Sequence, residues 1–372
     1  CGLHSNAEEE NKMQVVSQSA FHGTFWQRIQ KQFFYSKWAG LLTCFVFAVI
    51  LYICFRLFTW GVVDASVGSA EVCRQASGAC WGFVAEKWRL IIFGRFPYEE
   101  QWRPAVATIL LIAALVISAI PAFWNKVMAR YLLWVWVIAF FGFFTLMKGG
   151  IFELTPISTD MWGGFPLTVV LTLFGMGISI PLGVILAIGR RSSMPIVSGI
   201  STGYIELVRG IPLITVLFMA TFIFPLLLPA GTRMDAFWRV TIAIVLFQAA
   251  YIAETVRGGI QTIPAGQFHA AESLGLNKVE TYIYVILPQA LVAVIPAFIN
   301  SLLSCFMDTS LVTVVSMTDL TGALKLALGD AEWRAFFVEG YLFIAAIYFV
   351  CSFIISRYSL WLEAYLRGNK KR

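Results

Sequence analysis

Charge-free stretches of membrane-spanning length recur along these 372 residues, and they constrain the fold more than any other feature. A helix needs roughly 20 mostly apolar residues to cross the hydrocarbon core, with about 17 as a lower limit. Trp38–Phe55 qualifies and runs on past Arg56 through Leu57–Val63. Pro104–Asn125, Tyr131–Met147, Met161–Gly189, Gly210–Thr232 and Gly340–Ser356 also qualify. Val240–Ala253 is short unless Phe237 and Trp238 extend it. Thr281–Met307 holds Pro288 and Pro296, so its first part is expected at the interface and Val292–Met307 is expected to cross. About eight spans result, which predicts an all-α polytopic membrane protein. Thr309–Thr318, just after Asp308, is too short to span and fits a broken or re-entrant piece shielded by protein.

Composition agrees. Only 13% of the residues are charged and 59% are hydrophobic, whereas a soluble domain is about 25% charged. That excludes a soluble enzyme, a disordered chain and a coiled coil. The net charge of +6 reads as basic cytoplasmic ends, not as a nucleic-acid site. With the N-terminus inside, cytoplasmic segments hold about sixteen Lys and Arg, from Lys12 to Arg372, and the short external loops about five. Both termini are therefore expected in the cytoplasm. The chain opens on Cys1; a lipidated cysteine would put that end outside, so a sequence boundary is expected there. The first apolar stretch looks like an anchor, not a cleavable signal.

The organisation expected is a polar, largely disordered cytoplasmic segment (1–37), then three spans with a large external loop (38–147, loop 64–103). A linker (148–160) leads to a second part (161–367) rich in Gly, Pro and polar residues at membrane depth, and a basic tail (368–372) follows. Polar groups in lipid are costly and mark function, so the second part is where function is expected. Cys73 and Cys80 lie in the external loop; facing an oxidising compartment they form a disulfide, and otherwise two free thiols. No further ligands lie near them, so no metal site is expected.

The segment Glu254–Glu280 is far longer than the usual connection of about 2–8 residues. Pro264 suits a helix first turn, Gly275 the left-handed position past a helix end, and Asn277 with Glu280 a capping box. Two short helices joined by a glycine elbow make a docking surface for a cytoplasmic partner. Within it, Gly266-Gln267-Phe-His269-Ala270-Ala271-Glu272-Ser-Leu-Gly275-Leu276, followed by Ile286-Leu-Pro-Gln-Ala-Leu291, resembles the EAA loop of ABC importer permeases, in their polar amino-acid branch. The resemblance extends through Glu206-Leu-Val-Arg-Gly-Ile-Pro-Leu213, Phe247–Gly259 and Asp308-Thr-Ser-Leu311. The three leading spans and the ending Ser356–Glu363 are similar to one subunit of general L-amino-acid ABC importers.

This resemblance implies a type I ABC permease core preceded by three extra helices, in a bacterial inner membrane. It implies a coupling loop at 257–282, a separate ATP-binding subunit, a second, shorter permease as heterodimer partner, and a periplasmic amino-acid-binding protein. ATP would be bound by the partner, so neither a cofactor nor enzymatic activity is expected in this chain; it has no Gly-x-x-x-x-Gly-Lys-Ser/Thr. His269 stands where the family has its motif glutamate; it keeps a hydrogen bond but loses the fixed charge, and Glu272 lies one turn along to compensate.

Within the apolar windows, Asn300, Ser301, Ser304, Asp308, Thr309 and Ser310 cluster where a helix break is expected. They either line a translocation path, as in transporters with discontinuous helices, or form a solvated surface loop. Gln248 is either a path donor or a bridge between helices. Glu206 and Arg209, three apart, are expected to form an ion pair anchoring a helix end, with gating as the alternative. The stripe Gly175, Ser179, Gly183, Ala187 allows close helix approach, inside the bundle or against a second permease.

Overall fold

The structure is a computed structural model that describes residues 33–229, 232 and 234–369. The polar segment before Phe33 and the basic end Lys370–Arg372 lie outside the described residues. The described residues fall into two compact units, one ending at Cys80 and the other beginning at Trp81. Among the described residues seven helices are long and apolar enough to cross a membrane, or eight when one bent pair counts as a span.

In the first unit, α1 (Lys37–Phe58) begins at Ser36, whose hydroxyl accepts from Ala39 N at 3.2 Å, and continues into a π-turn over Thr59–Val63. None of α1 is buried within the chain, as befits a helix that is apolar all round in lipid. Beyond it, α2 (Ala70–Gln75) carries Cys73, which is disulfide-bonded to Cys80 with Cα atoms 5.4 Å apart. Of the two states left open by the sequence, the bonded one is present. Backbone bonds of 2.8 Å, Ser66 N to Ala79 O and Ala79 N to Trp60 O, fold this segment back onto the π-turn.

The second unit comprises α3 (Trp81–Phe93), α4 (Trp102–Ala119), α5 (Lys126–Lys148), α6 (Gly164–Arg190), α7 (Pro195–Arg209), α8 (Leu213–Phe218), α9 (Ala236–Gln261), α10 (Ala265–Ser273), α11 (Lys278–Glu280), α12 (Leu287–Asp308), α13 (Leu320–Ala327) and α14 (Phe337–Asn369). Its centre is the α6–α9 pair: 50% and 67% of their most apolar windows are buried, against 33% or less in the other spans. The small-residue stripe accounts for this. Ser179 Oγ donates to Val245 O at 3.0 Å, and a Cβ on Gly183 would lie 2.9 Å from Ala249 O. The stripe therefore packs inside the bundle, against α9. An aromatic cluster joins α5 to this core, with Phe144 against Phe174, Phe237 and Trp238.

Two expectations need correction. The fifth span is not one helix over Gly210–Thr232: helical structure over Pro195–Arg209 and Leu213–Leu227 meets at a 105° bend. Pro212 removes a backbone donor and restricts Ile211, which breaks the helix there. The seventh span does not break after Asp308. It tightens into a 3-10 helix over Thr309–Val315 and stops at Ser316, φ +66°, so no separate re-entrant piece forms. Within the large loop, α3 packs along α13. There Lys87 Nζ lies 2.9 Å from Asp330, Trp333 Nε1 donates to Glu86 at 3.2 Å, and Phe83 meets Trp333 at 6.0 Å.

On the connection between α12 and α14, the fully buried Asp319 caps α13, accepting from Gly322 N at 2.9 Å and Thr321 N at 3.2 Å. Burial pushes its carboxyl up from 3.8 to about 6, against the pull of these donors, of Tyr348 and of Lys325. The folded state thus holds this proton more tightly than the unfolded chain, so stability falls as pH rises from 3.8 to about 6 and then levels off. Asp319→Asn keeps an acceptor for the cap and removes the charge. Its melting temperature in detergent is expected to fall less across that interval than the wild type's; parallel curves would contradict this.

Candidate functional site

The segment between α9 and α12 is built by local chemistry. Pro264 occupies the cap position of α10, one residue before the first turn expected for it. Gly275 takes φ +78°, a conformation that suits glycine. Gly275 N then bonds Glu272 O at 2.9 Å and Leu276 N bonds Ala271 O at 3.2 Å, the paired bonds of a Schellman end. Asn277 and Glu280 form the expected capping box, with bonds of 2.9 and 3.0 Å, and a π-turn over Thr281–Ile286 leads into α12. Phe268 packs edge-on to Tyr282 at 6.1 Å, and Gln289 Nε2 donates to Gln267 Oε1 at 3.2 Å. Ala271 is buried and Leu276 half-buried, while Gly266, Gln267, His269, Ala270, Glu272 and Gly275 face outward. His269 Nδ1 is 3.8 Å from Glu272, beyond hydrogen-bond range.

A cavity of about 760 Å³ opens within the bundle, walled by α9, α12 and the bend between α7 and α8. Gln248, Asn300 and Asp308 line it, with Ser301 and Ser304 beside them. Thr309 and Ser310 do not reach its wall. Thr309 is buried; its hydroxyl donates to Phe306 O at 2.7 Å and also meets Tyr348 of α14. Phe247, Tyr251, Leu213 and Leu311 supply the apolar and aromatic wall.

Below this cavity lies an ion cluster. Glu254 receives Arg190 at 3.1 Å, Arg209 at 3.3 Å and also Arg257, and Arg190 reaches Glu206 at 2.8 Å. Glu206 and Arg209 therefore do not pair with each other as their spacing suggested. Glu254 is the more shielded carboxylate, 18% exposed against 57% for Glu206, and a shielded charge attracts a guanidinium more strongly. Arg209 accordingly reaches across the bend to α9, its guanidinium 5.8 Å from the Tyr251 ring, and it also lines the cavity. Sequence reasoning missed Arg190, Glu254 and Arg257 as a cluster; the i, i+3 spacing of Glu254 and Arg257 was the one local signal.

Residues 179–368 match the family described as the binding-protein-dependent transport system inner membrane component. The inner membrane amino-acid ABC transporter permease protein YhdY of Escherichia coli (strain K12) is 42% identical over 311 residues, covering 82% of this chain and 83% of that protein. The chain belongs to this family. This inner membrane component is also similar to the glutamate/glutamine/aspartate/asparagine transport system permease protein BztC of Rhodobacter capsulatus, 35% identical with 80% of this chain and 81% of that one covered. A solved structure of an amino acid ABC transporter with histidines is 31% identical, covering 55% of this chain and 92% of its own, with a TM-score of 0.49. The YhdY match is longer than the stretch that follows residue 179, so that relative shares part of what precedes the family match. Both the cavity wall and the α10–α11 segment fall inside residues 179–368.

Proposed function

We propose that the chain is the membrane-spanning subunit of an ATP-driven amino-acid importer, with the 760 Å³ cavity as its translocation path and α10 as its contact with a separate ATPase. One observation carries the reading: α9 lines the cavity through Gln248 and runs to Gln261, four residues before α10 begins at Ala265. A push on the exposed docking helix thus has a short, rigid route to the cavity. The polar wall of Gln248, Asn300 and Asp308 suits a zwitterion, while its aromatic side suits varied side chains. The relatives named above are amino-acid permeases, which supports the cargo class.

The same reading assigns ATP to the partner, a second permease across the dimer interface, and a periplasmic amino-acid-binding protein as the source of cargo. It keeps residues 38–147 as a three-helix extension ahead of a core at 161–367, and both termini in the cytoplasm. The Cys73–Cys80 disulfide supports this orientation, because disulfides persist in oxidising compartments.

Pull-down from detergent tests the docking role. Gly275→Val forces a β-branched residue into φ +78°, at roughly 1–2 kcal/mol, and remodels the elbow. Recovery of the ATPase is expected to fall about tenfold, whereas Gly275→Asn, which tolerates that conformation, retains most of it. Equal recovery with wild type and Gly275→Val, or none with wild type, would overturn the docking role.

A further inference from the structure

The cluster beneath the cavity is unbalanced. Arg190, Arg209 and Arg257 meet two carboxylates, Glu206 and Glu254, which leaves one positive charge in excess. Glu254 Oε1 is taken by Arg257, and Oε2 is divided between Arg190 at 3.1 Å and Arg209 at 3.3 Å. Arg190 has a second carboxylate in Glu206, and Arg209 has the longest of these pairs. Arg209 is also the member of the cluster that lines the cavity, where Asp308 is the charge of opposite sign. Among the described residues, the wall thus offers one cation and one anion to whatever fills it.

We propose that Arg209 anchors the carboxylate of the cargo, and that a carboxylate arriving in the cavity competes with Glu254 for its guanidinium. A planar guanidinium suits this role because it binds carboxylates through two parallel donors. The Arg209–Glu254 pair ties the end of α7 to α9, so filling the cavity loosens that tie on the helix leading into α10. Cargo is thereby reported to the docking helix. This rests on the cavity being the translocation path.

The test uses the importer as it purifies, this chain with its bound subunits, in nanodiscs and without a binding protein. Retention of a radiolabelled mixture of L-amino acids is measured with unlabelled L-glutamine or its α-carboxamide as competitor. In wild type the free acid should compete about tenfold better than the amide. Arg209→Gln should abolish that preference, and Arg209→Lys, which keeps a cation for Glu254 but not the fork, should leave only a small part of it. Glu254→Gln removes the competing carboxylate and should tighten retention, the opposite of what losing a purely structural pair would do. An undiminished acid preference in assembled Arg209→Gln, or in Arg209→Lys where the former does not assemble, overturns the anchor. The cavity reading survives that result when Asn300→Leu still abolishes retention. Retention unaffected by both Arg209→Gln and Asn300→Leu overturns the cavity reading and the anchor together.

Discussion

Gly164→Ala is expected to destabilise the protein by roughly 3–5 kcal/mol, at the upper end for single substitutions. Gly164 opens α6 at φ +63°, where a Cβ is strained. That Cβ would also overlap the Ile92 carbonyl at the end of α3, with Phe93 N at 2.7 Å. Both obstacles are backbone, so no rotamer change relieves them. Gly164 N also bonds Thr318 O at 2.7 Å, which makes this residue the junction of α3, α6 and the strap before α13. The measurement is thermal unfolding in detergent beside Gly177→Ala. That control sits in the same helix with nothing within 4 Å of its Cβ, and should change little or gain up to about 1 kcal/mol. Similar shifts for the two variants would contradict the close packing of α3 on α6.

Arg103→Leu is expected to cost about 3–5 kcal/mol. The Arg103 side chain is fully buried in the first turn of α4. It donates to Leu146 O at 2.7 Å, Thr155 O at 3.0 Å and Thr155 Oγ1 at 3.1 Å, and pairs with Glu100 at 3.4 Å. One guanidinium thus ties α4 to the end of α5 and to the linker that precedes α6. Leucine matches its bulk closely enough to fill the space but supplies none of the three donated bonds that hold these elements together. Arg103→Lys should recover little, since one ammonium cannot reproduce the fork. A shift below about 1 kcal/mol in thermal unfolding would show that the tie does not hold α4 against α5 and the linker.

Arg103 also shows where sequence reading stops. In one dimension it closes a loop of mixed charge, and only the fold places it inside a helix against a carbonyl on α5. The two short helices and their glycine elbow were legible because their determinants are local: Gly275, Asn277 and Glu280 act on backbone within a few residues. Gln248, Asn300 and Asp308 were legible as polar residues in apolar windows, and all three line the cavity. Thr309 looked the same in sequence, yet its hydroxyl is engaged by Phe306 O and Tyr348, and Ser310 falls off the wall. Glu206 and Arg209 had the right spacing for each other, but Arg190 and Glu254, distant in sequence, outcompete that pairing. The bend at Gly210–Pro212 was hidden for a similar reason, because a charge-free window does not reveal where its helix begins.

The central claim is that cargo crosses this subunit on energy delivered through α10 by an ATPase. Its most direct test is uptake of radiolabelled L-amino acids into proteoliposomes that hold the purified importer, with the binding protein outside and ATP inside. Uptake is expected to require ATP, to persist when ionophores collapse the ion gradients, and to be lost in Gly275→Val. Uptake that proceeds without ATP and follows an imposed proton or sodium gradient would contradict the account.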